Sequence, residues 1–391
     1  MQIRFMARSF GVSGDRAGQE SRGYRFPYGP VAVITPFNFG LEIPVLQLMG
    51  ALFMGNKPVL KSDQKVSVIM EQFVRMLVNN CGLNPTDVDF INSDGPVMQK
   101  LLRYSKPRTT LFTGSSKVAE MLVRETKGKI KIEDAGFDWK VLGPDVPRKN
   151  SEIDYVAWQS DQDAYGFSGQ KCSAQSILFM DRKWKKVDFL GRLEALAKRR
   201  NLDDLTISPV LSWTSDAILQ HVDNLLKLPG AKLLWGGKKL ENHTIPEVYG
   251  AVEPTAVFVP LSAMRSKKAF KLATTEVFGP VQVITDYNKS GKDRVKSYLE
   301  RMEHHLTAAI VSNDLDFQQE MLGATVNGTT YVGRRARTTG APQNHWFGPA
   351  GDPRGAGIGS VEAIQMVWSC HREVVHDVGT IPEDWTTPKC T

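Results

Sequence analysis

Cysteine, long apolar runs and blocks of like charge are all scarce in this sequence, and each shortage removes a class of protein. Four cysteines (Cys81, Cys172, Cys370, Cys390) stand in 391 residues without paired spacing. That excludes a disulfide framework and a zinc ribbon and points to a reducing compartment. The longest apolar run, Ile43 to Gly55, is broken by Pro44 and Gln47. It is too short to cross a bilayer, so no membrane partner is expected. Charge is mixed, with 49 basic against 42 acidic residues and a net +7. So small an excess gives no support to a nucleic-acid partner and reads as a solvated surface with an anionic ligand. Internal repeats, low-complexity tracts and a Gly-x-Gly-x-x-Gly fingerprint are also absent.

What is present is enough apolar material, 41% of residues, for two or three domains with a large core. Val31 to Thr35 is a β-branched run that meets Pro36 and then Asn38, the signature of a buried strand ending in a loop. Such strand ends bind ligands in open α/β sheets. Helices are predicted over Glu42 to Phe53 and Val66 to Asn80, and strands over Pro58 to Lys61, Val88 to Asn92 and Thr109 to Phe112. This alternation implies a parallel sheet covered on both faces. The turn Phe112-Thr113-Gly114-Ser115-Ser116 opens a helix running to about Lys127. Its free N–H groups suit a pyrophosphate, although on the turn alone simple N-capping by Ser is the favoured reading. The first 25 residues hold five Arg and two acids, Asp15 and Glu20, a faint likeness to a transit peptide that ranks below ordinary domain sequence.

The chemistry-bearing stretch is Phe167-Ser168-Gly169-Gln170-Lys171-Cys172-Ser173-Ala174. A single Cys among small residues is a candidate nucleophile, and the bland alternative is a buried, inert thiol. Glu133 ends an alternating segment before Asp134-Ala135-Gly136, where a carboxylate serves as a general base or as a solvated surface acid. Around Cys172 a second α/β domain is predicted, its first helix leading into the cysteine loop. Its helices lie over Ile153 to Gly166, Trp184 to Arg200, Asp216 to Lys227 and Arg294 to His304, and its strands over Ser176 to Met180, Thr255 to Val259, Val281 to Thr285 and Thr307 to Val311. His304 and His305 end a helix with no Cys or acid cluster nearby in sequence, so no metal is expected. Cys370-His371 reads as structural. Thr338 to Gly359, rich in Gly and Pro, is predicted to be a long ordered loop whose Gly355-Ala356-Gly357 run offers backbone N–H groups as an anion nest.

Taken in order, Asn38 in Thr-Pro-Phe-Asn-Phe, Lys61, the Phe-Thr-Gly-Ser turn, Glu133, the Gly-Gln-Lys-Cys loop and Glu276-Val277-Phe278-Gly279-Pro280 resemble the aldehyde dehydrogenase superfamily. The runs Glu133-Asp134-Ala135-Gly136-Phe137-Asp138-Trp139-Lys140 and Thr338 to Gly348 are similar to its plant-type pyrroline-5-carboxylate dehydrogenases. The resemblance implies an α/β fold with a Rossmann-like cofactor domain, N-terminally incomplete, an α/β catalytic domain and a C-terminal oligomerisation strand. Residues 1–28 would be a remnant of the cofactor domain and an oligomerisation hairpin, 29–134 the dinucleotide domain, 135–336 the catalytic domain, and 337–391 the substrate loop and return. By the same resemblance Cys172 is the nucleophile, Glu133 the base and Asn38 an oxyanion donor. NAD is the expected cofactor, held by Thr35, Pro36, Phe37, Lys61, Gly114, Ser115, Glu276 and Phe278. Gln64 stands where the family usually has an acid, with Asp63 one step earlier, which leaves NADP open. Ser173, Phe347 and Gly355-Ala356-Gly357 would hold the substrate.

The implied reaction is oxidation of L-glutamate 5-semialdehyde to glutamate. Another semialdehyde such as succinate semialdehyde is the runner-up, followed by an impaired, shortened chain acting as an assembly partner. The resemblance also implies a homo-oligomer, dimer or tetramer, paired through a strand over His371 to Val378, and a place in the mitochondrial matrix.

Overall fold

A computed structural model describes residues 11–134, 136–340 and 346–390. The start of the expected N-terminal remnant, Ala135 and the Ala341 to His345 portion of the subgroup-specific run lie outside the described residues. The chain forms two units. The first takes the residues up to Thr113, Lys117–Ile132 and everything from Ala356 onward, and the second takes Gly114–Ser116 and Glu133–Gly355. The crossings at Ile132 and Ala356 compare with expected boundaries after 134 and 336.

In the first unit a hairpin, β1 (Val12–Ser13) and β2 (Gln19–Pro27), precedes β3 (Pro30–Ile34), α1 (Glu42–Phe53), β4 (Lys57–Lys61) and α2 (Ser67–Asn79). Then come β5 (Asp89–Phe90), α3 (Gly95–Ser105), β6 (Thr109–Gly114), α4 (Ser116–Glu125) and β7 (Ile130–Asp134). Pro44 sits in the first turn of α1, where the missing N–H costs nothing. Asp94 starts α3 by accepting from the Val97 amide at 2.8 Å, as an N-cap should. The strand order is β5-β4-β3-β6-β7, and β3 pairs in parallel with both β4 and β6. The order therefore reverses between β3 and β6, the switch point where ligands enter open α/β sheets. Val31 and Val33 pack on one face of this sheet with Leu48, Leu60 and Trp368, while Ala32 and Ile34 face Phe112, Ile130 and Ile132 on the other. Alternate residues of one strand thus serve two cores.

The second unit contains β8 (Asp138–Leu142), α5 (Asn150–Tyr165), β9 (Gln175–Asp181), α6 (Phe189–Lys198), α7 (Ser215–Leu226), β10 (Lys232–Trp235) and β11 (Thr255–Phe258). It continues with α8 (Lys267–Ala273), β12 (Val281–Tyr287), α9 (Lys292–Glu300), β13 (Thr307–Val311), α10 (Leu315–Gly323) and β14 (Thr329–Val332). Its seven-stranded sheet runs β10-β11-β12-β9-β8-β13-β14, parallel except for the β10–β11 pair. Two expectations need correction. The helix expected from Trp184 is broken at Asp188, which takes a left-handed φ of 50°, so α6 starts only at Phe189. The helix expected to end at His304 stops at Glu300, leaving both histidines in the following loop.

The chain returns to the first unit through α11 (Val361–Trp368) and β15 (Ser369–Asp377). The Asn56 side chain donates to the carbonyls of Ala51 (3.1 Å) and Trp368 (2.8 Å), fixing that return. The terminal strand expected to lack a partner within its own chain has one: β15 pairs antiparallel with β2 from Ser369 opposite Pro27 to Asp377 opposite Gln19. Among the described residues no helix is long and apolar enough to cross a membrane.

Candidate active site

The approach to Cys172 is a sharp left-handed turn. Phe167, Ser168 and Gly169 have φ of 55°, 52° and 68° in succession. For the two residues that carry a Cβ this costs about 1–3 kcal/mol each and persists only where neighbours over-determine it. Those neighbours are visible. Ser168 Oγ donates to the Ser208 carbonyl at 3.0 Å and accepts from the Ser208 amide at 2.8 Å. The buried Gln170 amide accepts from Leu211 N at 2.8 Å and donates to the Pro209 carbonyl at 2.9 Å. A Cβ on Gly169 would stand 2.2 Å from the Gly279 carbonyl oxygen, so this position admits only glycine and seats the cysteine loop on the loop that carries Glu276.

Around the half-buried Cys172 stand three carboxyl groups. Glu133, at the end of β7 and buried, hydrogen bonds the thiol. Asp138, at the start of β8, accepts from the Thr307 amide at 2.7 Å through Oδ1, while its buried Oδ2 has no partner among the described residues. Glu276 takes a hydrogen bond from the Gly136 amide. Burial, followed by the charges of Glu133, Asp138 and Glu276, pushes the Cys172 thiol well above its ordinary value. Burial also pushes Glu276 up to about 8, raises Asp138 well above the usual carboxylate range, and brings the neighbouring Lys171 down to about 8. The result is a protonated thiol bonded to a carboxylate, a nucleophile beside its base.

In the first unit Asn38 is buried, and its Oδ1 has no hydrogen-bond partner among the described residues. The same holds for Thr35 Oγ1, Ser62 Oγ and Thr113 Oγ1, which follow or end β3, β4 and β6. Unused polar atoms at the carboxyl ends of these strands fit a polar ligand such as a dinucleotide. Lys61, half-buried on β4, has its pKa lowered by burial. Lys65 lies 5.3 Å from the Phe37 ring centroid, one residue beyond Pro36. Gly114 and the exposed Ser115 lie in the second unit and lead into α4. Phe278, near Glu276, has a left-handed φ of 50°.

Of the residues expected to bind substrate, Ser173 is buried and Phe347 half-buried. The Phe347 segment is tied to β14 by a 2.9 Å bond from Thr329 Oγ1 to the Trp346 carbonyl. Two amides of the expected anion nest have partners within the chain. Gly355 N donates to the Asp352 carbonyl and Ala356 N to the Ile132 carbonyl, at 2.9 and 2.8 Å. Both amides are therefore spent on holding the loop, and Gly357 is buried.

Sequence reading passed over Asp138 and the bracing role of Gln170 and Ser168, although all three stand inside the motifs quoted above. The contacts of His304 were not readable either: it lies 3.3 Å from Ser116 Oγ through Nε2 and 3.8 Å from Asp134 Oδ2 through Nδ1. Among the described residues no group of three His, Cys, Asp or Glu side chains is placed to hold a metal ion.

Comparison with known proteins identifies the family. The pattern of the aldehyde dehydrogenase family matches residues 4–364. The delta-1-pyrroline-5-carboxylate dehydrogenase 12A1, mitochondrial, of Arabidopsis thaliana is 62% identical over 391 residues, which is all of this chain and 69% of that relative. Among solved structures, a putative aldehyde dehydrogenase from Burkholderia cenocepacia superposes with a TM-score of 0.83 at 22% identity, covering 98% of this chain and 76% of that one. PnpE in complex with nicotinamide adenine dinucleotide superposes with a TM-score of 0.81 at 22% identity, covering 97% and 75%. With a family pattern that spans most of its length and a thiol set against a buried glutamate, the chain belongs to the aldehyde dehydrogenase family.

Proposed function

We propose that this chain oxidises L-glutamate 5-semialdehyde, the open form of pyrroline-5-carboxylate, to L-glutamate with NAD, as a step in proline breakdown. The observation that carries the reading is the hydrogen bond between the Cys172 thiol and the buried Glu133 carboxylate. The identity of 62% to the Arabidopsis relative supports the substrate. Glu133 takes the thiol proton, and the Cys172 sulfur attacks the aldehyde carbon to form a thiohemiacetal. The oxyanion is assigned to the Asn38 side chain and the Cys172 N–H by family resemblance. Donors of this kind are worth roughly 3 kcal/mol each. NAD, when bound, would supply the hydride acceptor, and Cys172 would hold the acyl group as a thioester. Once its first proton has passed to solvent, Glu133 deprotonates the water that hydrolyses the thioester, and it returns that proton to the departing Cys172 thiolate as the acid is released. Thr35, Pro36, Phe37, Lys61, Gly114 and Ser115 would hold the dinucleotide, and Glu276 its nicotinamide ribose with Phe278 packing nearby. Ser173 and Phe347 would face the substrate.

We place the chain in the mitochondrial matrix as part of the same proposal, supported by the Arabidopsis relative, which is named as mitochondrial. Assembly into a homo-oligomer through the outer edge of β15 belongs to the same proposal.

The test is NADH formation by purified protein given NAD and pyrroline-5-carboxylate, beside a panel of other semialdehydes. Turnover with pyrroline-5-carboxylate is expected to vanish in Cys172→Ala while NADH binding persists. In Glu133→Gln a burst of NADH without steady turnover is expected. Normal activity in Cys172→Ala would end the reading, and preference for succinate semialdehyde would move the substrate.

A further inference from the structure

The second unit holds a cavity that this reaction does not use. It lies at the carboxyl ends of three parallel strands, where β9 ends at Asp181, β11 at Phe258 and β12 at Tyr287, and has a volume of about 440 Å³, within the range of small-molecule sites. Cys172 precedes the opposite end of β9, so the strand's own length separates the two places by roughly 20 Å. Carboxyl ends of parallel strands are the usual ligand side of such sheets.

The wall is cationic and organised. Asp286, 6% exposed, accepts from Arg182 Nε at 2.7 Å through Oδ1 and from Lys185 Nζ at 2.5 Å through Oδ2. One buried carboxylate therefore fixes two cations at the rim. Lys185 Nζ also stands 5.7 Å from the Phe258 ring centroid. A third cation, Arg294, is half-buried in the first turn of α9 and lines the same cavity. It has no acidic partner among the described residues, whereas Lys292 and Lys296 on the same helix are both spent on Glu320. Asn288 and Gly291, which form the turn before α9, line the cavity as well, with Asn288 Oδ1 accepting the Gly291 amide at 3.1 Å. The amino end of α9 therefore adds its positive potential to the wall. Three cations face one carboxylate. The cavity wall therefore carries an excess of two positive charges, which favours an anion there. Phe258, Pro260 and Leu261 supply an apolar side to the same space.

We propose that this cavity binds a small phosphate monoester. Its dianionic phosphate would be gripped by Arg294, Arg182 and Lys185, and its apolar body laid against Phe258. The phosphate matches the charge excess, and guanidinium groups are the usual partners for its oxygens.

The experiment is calorimetric titration of the full chain with AMP, inorganic phosphate and adenosine, each in excess NADH so that the dinucleotide site does not report. AMP is expected to bind once per chain, inorganic phosphate to compete with it, and adenosine not to bind. Arg294→Gln should weaken AMP and phosphate alike by roughly tenfold or more, and Phe258→Leu should weaken AMP alone, both variants keeping NADH affinity and turnover. Failure of AMP and phosphate to bind the unaltered chain would overturn the proposal. So would equal binding of adenosine, or AMP binding that Arg294→Gln leaves unchanged.

Discussion

A β-carbon on Gly136 would stand 2.1 Å from the carbonyl oxygen of Cys172 and 2.5 Å from Oδ2 of Asp138. The backbone just after the base therefore touches the backbone of the nucleophile, and the contact is possible only without a side chain. Gly136→Ala must push the cysteine loop away, because a carbonyl oxygen cannot rotate aside as a flexible side chain can. Displacement of reacting groups by about 1 Å costs on the order of a hundredfold in rate. We expect kcat for the best aldehyde to fall by about that factor while NADH affinity stays within about twofold. A kcat unchanged from the parent would mean that this contact does not position the thiol.

The carboxylates around Cys172 set its reactivity in the chain without cofactor. Because burial and the charge of Glu133 push the thiol upward, its alkylation by iodoacetamide should be slow near neutrality and quicken with rising pH. Glu133→Gln removes one negative neighbour, so the profile should move to lower pH. Each whole pH step of that movement makes alkylation at neutral pH about tenfold faster. Peptide mass spectrometry separates Cys172 from the exposed Cys81, Cys370 and Cys390. Slower alkylation of the variant across the pH range would show that Glu133 activates the thiol even without substrate.

Much of this arrangement could be read from the chain, and the unread parts share a cause. The apolar runs of β3 and α1, punctuated by Pro36 and Gly55, announced their own limits, and the motifs around Cys172 and Glu133 marked the chemistry. Strand β8 was passed over because Asp138 and Lys140 interrupt its apolar pattern, yet both charges lie fully inside. Their compensation comes from the Thr307 amide and from Asp163, 169 and 23 residues away. The Gln170 brace was hidden for the same reason, its partners Pro209 and Leu211 being 39 and 41 residues distant. Helix α3 opens with Gly95-Pro96, which reads as a loop until the Asp94 cap is seen.

The buried pair of Lys140 and Asp163 carries a third prediction. Asp163 accepts from Lys140 Nζ at 2.7 Å, Gln159 Nε2 at 3.0 Å, Thr338 N at 2.8 Å and Thr339 Oγ1 at 2.6 Å. Asp163→Ala leaves a buried ammonium without a counter-charge and releases the Thr338 segment, so urea unfolding should show a loss of about 3–5 kcal/mol. Replacing both partners, as Lys140→Met with Asp163→Leu, should lose less than Asp163→Ala alone. If the double variant proves the weaker of the two, the pair is a net source of stability rather than a cost offset by its own geometry.

Glu276 gives a pH dependence whose sign is fixed. Its folded value is near 8 against an ordinary 4.5, with burial as the main cause. Below pH 4.5 the group is protonated in both folded and unfolded chains and contributes nothing. Between 4.5 and 8 the folded chain holds the proton more tightly, so stability falls as pH rises, and above 8 the full cost of a buried carboxylate is present. Glu276→Gln removes that cost. In the absence of cofactor, the unfolding temperature of the variant should match the parent near pH 4.5, rise above it progressively to pH 8, and then hold a constant lead. Lys171, lowered to about 8 from 10.5 by burial, acts in the next window: its cost is present below 8 and is relieved between 8 and 10.5. The two windows do not overlap, so a lead that keeps growing beyond pH 8, or one already complete at pH 4.5, would assign the effect to some group other than Glu276.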